Sequence, residues 1–353
     1  MSNIAIFSGK KHKIPRKYLS QILTLLQQNN QELLQTRPPA KEFYKRQLIL
    51  SQPSDSKKEW VIATNADNEV VGYGYLSWNV KYDNLDKGNF WLYVKQSERR
   101  KGIGTAMLKE ITQLVPEQIT TLTTNTFSST KSEGFIKQFK ERESYTEIIS
   151  ISDLTRFNLR EVAAEAKRQR EAASKKGYDI IYIENLDFMF HLDLEEYVKM
   201  LESIWADMPQ EDLHFEDERL PVERFLEMYQ RSMFLGFKSM NFVAVEKKTG
   251  LPVGLTNTLL NQYQPHVAIQ EDTGVLKEHR GNGLGLAMKY QMLEKLLKET
   301  EAEQWQTGNA GSNKYMLRIN QQLHYEPKIT LKIYELTSQE LKNKLHAFSS
   351  GTR

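Results

Sequence analysis

Two stretches of this 353-residue chain carry residues typed and spaced for holding an anion. Residues 275–288 read VLKEHRGNGLGLAM and residues 94–107 read VKQSERRKGIGTAM. In each, a valine (Val275; Val94) is followed five residues later by an arginine (Arg280; Arg99). Glycines stand three and five residues beyond that arginine (Gly283 and Gly285; Gly102 and Gly104). Glycines between a strand and the first turn of a helix let the backbone approach a negative group. Free N–H groups and the positive end of the helix dipole then hold it. The chemistry predicted is a pyrophosphate cradle, carried twice.

Spacing excludes other glycine-rich loops. Neither copy has G-x-x-x-x-G-K-[ST], and reading G-x-G-x-x-G from Gly281 puts Leu286 where the third glycine belongs. The lysine and catalytic-loop motifs of a protein kinase do not follow. The pattern that fits is [QR]-x-x-G-x-[GA] after a strand ending in valine.

The elements around the cradles repeat as well. Val94 and Val275 are 181 residues apart, as are Gly102 and Gly283, and Gly72 and Gly254 are 182 apart. A near-constant offset predicts a duplicated domain. In the first half, Tyr18, Ile22, Leu25 and Leu26 predict an amphipathic helix, residues 60–63 and 70–73 a hairpin, and residues 90–94 a strand. Ile103, Met107, Ile111 and Leu114 then mark a helix that ends before Pro116. In the second half, helical spacing runs from Leu194 to Trp205, and another helix starts near Pro221 with Phe225, Tyr229 and Met233 on one face. Residues 241–245 and 252–255 form the second hairpin, and Leu284, Met288, Met292 and Leu296 a core-facing helix stripe. Residues 159–176, rich in Ala, Arg, Glu and Lys, predict a charged helix bridging the halves.

Composition narrows the function classes. With no cysteine, the chain has no disulfide, thiolate metal site or cysteine nucleophile. Seven histidines without ligand spacing argue against a metal, and a net charge of +3 is too small to argue for nucleic acid. The absence of an apolar run of about 18 residues, and of a basic-then-apolar start after Met1, predicts a cytoplasmic protein without a membrane segment.

The [QR]-x-x-G-x-[GA] signature resembles the acyl-CoA motif of the GCN5-related N-acetyltransferase (GNAT) superfamily. Residues 307–325, TGNAGSNKYMLRINQQLHY, are similar to the T-x-N-x-x-S-N-x-x-M-L-x-I-N-x-x-L-G-F of tandem GNAT proteins of the mycothiol-synthase-like kind. The resemblance implies an α/β (α+β) fold of two tandem GNAT domains. Each would be a mixed, mostly antiparallel sheet flanked by helices and splayed at its fourth and fifth strands. The expected division is an N-terminal, non-catalytic domain at 1–155, a connecting helix at 156–177, a C-terminal, catalytic domain at 178–340 and a tail at 341–353.

By position, the resemblance makes Val275 the end of the fourth strand, pairing with pantetheine. The N–H groups of Arg280, Gly281, Asn282, Gly283, Leu284, Gly285 and Leu286 would face the pyrophosphate of acetyl-CoA. The N–H of Val275 or Leu276 would polarise the thioester, Asn313 would bind pantetheine, and Lys277 and Lys289 would add charge or simply be solvated. Val94, Arg99, Gly102 and Gly104 are the first-half counterparts. A base is expected before the valine, where Glu271 and Asp272 stand; strand alternation puts Glu271 on the face of Thr273 and Val275 and favours it. His266 is a lesser candidate. The tyrosine that protonates the CoA thiolate in many GNAT enzymes is replaced by Asn320, which has no such proton to give. In the first half Phe90 replaces Glu271, and Ser132 or Glu133 stands opposite Asn313.

The acids Asp207, Glu211, Asp212, Glu216, Asp217 and Glu218 lie in the connection expected over the acceptor groove. They would attract a cationic amine or form a solvated loop. The function expected is therefore acetyl-CoA-dependent N-acetylation of a small-molecule, cationic primary amine by direct attack in a ternary complex, without a metal. A protein or peptide amine acetyltransferase and a non-catalytic acyl-CoA sensor are the alternatives.

Overall fold

The structure is a computed structural model and describes residues 4–8, 14–34, 37–128, 132–139 and 142–350. The reading of the chain start, and that of residues 351–353, fall outside this range. The first half forms β1 (Ala5–Ser8), α1 (Arg16–Leu34), α2 (Lys41–Ile49), β2 (Ser56–Thr64), β3 (Val70–Asn79), β4 (Lys87–Val94), α3 (Ile103–Leu114), β5 (Thr121–Phe127) and α4 (Glu133–Ile136). There follow β6 (Arg142–Asp153), α5 (Leu159–Lys175), β7 (Tyr178–Glu184), α6 (Phe188–His191), α7 (Leu194–Ala206), α8 (Val222–Phe234), β8 (Phe237–Glu246) and β9 (Pro252–Asn261). The chain ends with β10 (Gln264–Val275), α9 (Leu284–Glu299), β11 (Gln304–Ala310), α10 (Lys314–Gln322), β12 (Glu326–Thr337) and α11 (Ser338–Ser350).

These elements assemble into two compact units, neither of them a continuous segment. Unit one comprises residues 1–146, 210–216 and 329–353; unit two comprises 147–209 and 217–328. In unit one, β1 to β4 pair antiparallel in succession, β5 lies parallel to β4, and β12 closes antiparallel on β5. In unit two, β7 to β10 pair antiparallel, β11 lies parallel to β10, and β6 closes antiparallel on β11.

The expected boundaries at 155, 177 and 340 are therefore redrawn. Each unit takes its last strand from the opposite half of the chain. Tyr334 and Leu336 of β12, with Leu341 and Leu345 of α11, are buried in the core of unit one. Helix α5 belongs wholly to unit two, where Val162 and Ala173 pack into the core around α9. A strand's pattern does not say which edge it joins, and a connection that passes over its nearest neighbour leaves no local mark.

Helices cover both faces of each sheet. In unit one, Ile22 and Leu25 of α1 pack with Trp60 and Tyr73, while Met107 and Ile111 of α3 pack on the opposite face. In unit two, Tyr197, Leu201 and Phe225 of α7 and α8 fill one face, and Met288, Met292 and Leu296 of α9 the other. The predicted stripes are core, except that Met233 is exposed. The duplication reaches the register: Gly72 pairs with Val94 as Gly254 pairs with Val275.

Candidate active site

The pairing between β10 and β11 sets the site. They run together only from Val267↔Gln304 to Gln270↔Thr307, and β10 then continues to Val275 alone on that side. In unit one the parallel pairing likewise stops at Asn89↔Thr123, before β4 ends. A strand whose edge is unpaired presents N–H and C=O groups to a ligand.

At the point of parting, β10 has a bulge. Gln270 pairs with Thr258 but Thr273 pairs with Thr256, so Glu271 and Asp272 together oppose Asn257. An extra residue re-aims the side chains around it. The simple alternation expected for Glu271, Asp272 and Thr273 is thereby broken. Gln270 and Thr273 now share one face, with Gln270 Nε2 3.2 Å from Thr273 Oγ1. Asp272 turns to α7 and accepts a hydrogen bond from Trp205 Nε1 at 2.9 Å.

Glu271 reaches solvent, yet its carboxyl is lifted to about 7 by burial, then by the charges of Asp272 and Glu147. Burial also raises Asp272, against the Trp205 hydrogen bond, and raises Glu147. Glu147, from β6, was not foreseen. Its carboxylate lies over Gly308 of β11, where a Cβ would collide with it. No spacing in the sequence links residue 147 to residue 271; only the exchanged strand brings them together. Partial burial and the charges of two neighbouring carboxylates can keep a third ready to accept a proton near neutrality. Among the described residues, no group of three or more His, Cys, Asp or Glu could hold a metal ion. His266 lies at the far end of β10 from Val275.

The cradle follows. Gly281 and Gly283 both have φ of +79°, a conformation that favours glycine, and Gly283 caps α9. A Cβ at Gly283 would meet no protein atom within 4 Å, and one at Gly285 would only touch Ile319 and Thr273. The N–H groups of Leu284, Gly285 and Leu286, in the first turn of α9, have no carbonyl to bond within the helix. The Arg280 N–H is instead bonded to Lys277 O at 3.2 Å and the Leu276 N–H to Val253 O at 2.9 Å. These two leave the expected set of ligand donors. Since neighbouring residues of a strand face opposite edges, the Val275 N–H faces the parted side.

The arginine of the motif acts within the protein. Arg280 Nε donates to Val275 O at 2.9 Å, and its Nη2 lies 2.7 Å from Asp207 Oδ2. Arg99 does the same in unit one, on Val94 O at 2.9 Å and Glu32 at 2.6 Å. The five-residue spacing from valine to arginine thus clasps the end of the strand to the turn. Lys277 also pairs with Asp207, and the two cations hold that carboxyl below its ordinary range. The side chain of Asn282 donates to Tyr178 Oη and His279 O.

Further on, Asn313 caps α10, its Oδ1 accepting from Met316 N at 3.2 Å. His324, in the glycine place of the motif, has φ of +55°, and Tyr325 is buried. Lys289 is not solvated: it is fully buried beneath the cradle helix. Desolvation lowers its ammonium to about 7.

The acidic connection is largely engaged. Asp207 holds the clasp, Glu211 accepts from Thr146 N, Asp212 pairs with Arg142, and Glu216 accepts from Asn84 N. Residues 210–216 belong to unit one rather than unit two. In unit one, Gly102 repeats the φ of +79°, but Phe90 is buried core where Glu271 stands in unit two. Glu133 is bound by Lys137, Lys332 and Tyr334, and those cations hold it at about 2. Residues 129–131 of that late segment lie outside the described range.

Comparison with known proteins points the same way. Residues 20–139 match the acetyltransferase (GNAT) family. No curated protein matches the chain. Among solved structures, a tandem GNAT protein from the clavulanic acid biosynthesis pathway is 19% identical, with 95% of this chain and 99% of that one covered at a TM-score of 0.73. A GCN5-related N-acetyltransferase from Sphaerobacter thermophilus is 15% identical over 94% and 96% of the two chains, at 0.60. The N-myristoyltransferase of Saccharomyces cerevisiae, solved with myristoyl-CoA, is 10% identical over 95% and 80%, at 0.57.

Proposed function

We propose that the chain is a tandem protein of the GNAT superfamily, as the family match over residues 20–139 and the shared fold suggest, and that unit two transfers an acetyl group from acetyl-CoA to a small, cationic primary amine. The observation that carries this reading is the coincidence of three features on one strand. Strand β10 parts from β11, bulges at Glu271 and Asp272, and leads directly into the glycine cradle. The N–H groups of Gly281, Asn282, Gly283, Leu284, Gly285 and Leu286 would hold the pyrophosphate. The free edge ending at Val275 would pair with pantetheine, with Asn313 beyond it.

Acetyl transfer needs a neutral amine and a place for its proton. Glu271, titrating at about 7, is suited to take that proton as the amine attacks the thioester. Burial, with the charges of Asp272 and Glu147, keeps Glu271 in that range, and the two carboxylates add negative charge that favours an ammonium-bearing acceptor. The Val275 N–H is the backbone donor available to the developing oxyanion. With no cysteine in the chain, attack within a ternary complex is favoured over an acyl-cysteine intermediate. The engaged state of Glu211, Asp212 and Glu216 moves the recruitment of a cation from the loop to the three carboxylates at the bulge.

The test is mass-spectrometric profiling of acetylated products from acetyl-CoA with a panel of amines and peptides. Acetylation of di- and polyamine-like substrates, lost in Glu271→Gln, is the expected result. CoA binding without turnover of any amine would favour a sensor, and acetylation of peptides alone a protein acetyltransferase.

A further inference from the structure

On the α9 side of β11, unit two holds a buried amine for which acetyl transfer as just described has no role. Lys289 lies one turn beyond Gly285 and is fully buried, 5.5 Å from the centre of the Trp305 ring and 5.3 Å from that of Tyr325. Its Nζ donates to Asn320 Oδ1 at 3.2 Å, and Asn320 Nδ2 donates to Asn309 Oδ1 at 2.6 Å. A lysine has donors only, so it fixes which end of the Asn320 amide it meets. That amide then fixes Asn309 in turn, with its oxygen inward and its Nδ2 left over. Asn309 is half-buried, two residues beyond Thr307, the last residue of β11 to pair with β10. The free N–H of Asn309 therefore belongs to the stretch where the strands have parted.

We propose that Asn309, oriented through Asn320 by Lys289, donates the hydrogen bond that receives the departing CoA thiolate. This rests on the reading of unit two as the acetyl-transferring unit. In the step, the amine nitrogen bonds to the acetyl carbon and the C–S bond breaks, its electron pair staying on sulfur. The amine proton goes to Glu271, and the thiolate takes a proton from solvent after release. No proton passes through either amide. Asn309 is the catalytic residue, and Asn320 and Lys289 are positioning residues. Among the described residues, the groups around the Lys289 amine are Asn320 and the rings of Trp305 and Tyr325, with no carboxylate among them. It donates to Asn320 whether neutral or charged, and its charge further polarises the chain of donors.

The experiment compares the affinity of the full chain for CoA and for desulfo-CoA by calorimetry, from about pH 6 to about pH 9, the range that spans an ordinary thiol. Binding by the Gly283→Val chain is subtracted as background from elsewhere in the protein. A hydrogen bond to a charged sulfur predicts that CoA gains on desulfo-CoA as the pH rises, reaching about tenfold. Asn309→Ala should hold the ratio near one, and Lys289→Met should lower it by freeing the Asn320 amide to flip. If Lys289→Met fails to fold, Asn309→Ala, at a half-buried strand position, decides alone. An equal affinity for the two ligands at every pH, or a ratio unchanged in Asn309→Ala, overturns the inference. Failure of the wild type to bind either ligand overturns the underlying reading of unit two instead.

Discussion

At the scale of single residues, the site turns on two groups whose surroundings bring opposite chemistries to the same pH. Glu271 is pushed up to about 7 and Lys289 down to about 7, each chiefly by loss of water. A base must be unprotonated to act, so the acetylation rate at low substrate should rise more steeply with pH below about 7 than above it, where only the amine still titrates. In Glu271→Gln that added steepness should vanish, with kcat lower by a factor of about 100 or more; stopped-rate assays across pH would detect it. For Lys289 the consequence is stability. Unfolded, it binds its proton up to about 10.5, and folded only to about 7, so the unfolded chain binds more protons in between and stability climbs with pH across that window. The penalty below about 7 corresponds to roughly 5 kcal/mol, and losing the partner of Asn320 costs about 1–3 kcal/mol. Lys289→Met should therefore be more stable by about 2 kcal/mol near pH 6 and less stable above about pH 10, as measured by urea unfolding at both ends. The sequence carried a signal for this residue. Gly285, Lys289, Met292 and Leu296 share one helical face, and a lysine in a buried stripe is itself an anomaly.

Among the elements, the β10–α9 junction carries both the chemistry and the proposed ligand. Gly283 has a left-handed backbone but empty space around its missing side chain. Gly283→Val should therefore cost stability modestly, by about 1–2 kcal/mol, and reduce CoA affinity by more than tenfold. Calorimetry that showed undiminished affinity would remove the cradle assignment. Hairpins, helices and the paired glycine turns were legible because period and glycine spacing are local properties. The bulge was not: one extra residue leaves the composition of a strand unchanged, and it broke the alternation expected through Glu271 and Asp272. Nor was the clasp of Arg280 and Arg99, since a motif gives the spacing of an arginine but not the acceptor it finds.

In the molecule as a whole, duplication has produced two units with the same strand order and different equipment. Unit one keeps the turn at Gly102 but has Phe90 in place of Glu271 and a fully paired Glu133. Activity should thus fall far more in Glu271→Gln than in a folded Gly102→Ala chain, a comparison that steady-state kinetics can make; the opposite order would place the chemistry in unit one. The domain boundaries were the least legible part of the fold, because residues 142–153 and 326–337 pattern as strands without indicating which sheet they join. Their exchange predicts that residues 1–155 alone, lacking β12 and α11, leave the β5 edge and the burial sites of Tyr334 and Leu341 uncovered. Expressed separately, 1–155 and 156–353 should each be insoluble, and coexpression should restore a soluble complex on size-exclusion chromatography. The same exchange governs the protein during its own synthesis. Strand β5 is made early, yet its partner β12 leaves the ribosome only after β6 to β11 and the helices between them have been translated. At about 5–20 residues per second, the nascent edge waits on the order of ten seconds or more with its backbone groups unpaired. Translation speed, and the chaperones that meet the chain in that interval, thereby become determinants of how much active protein a cell obtains.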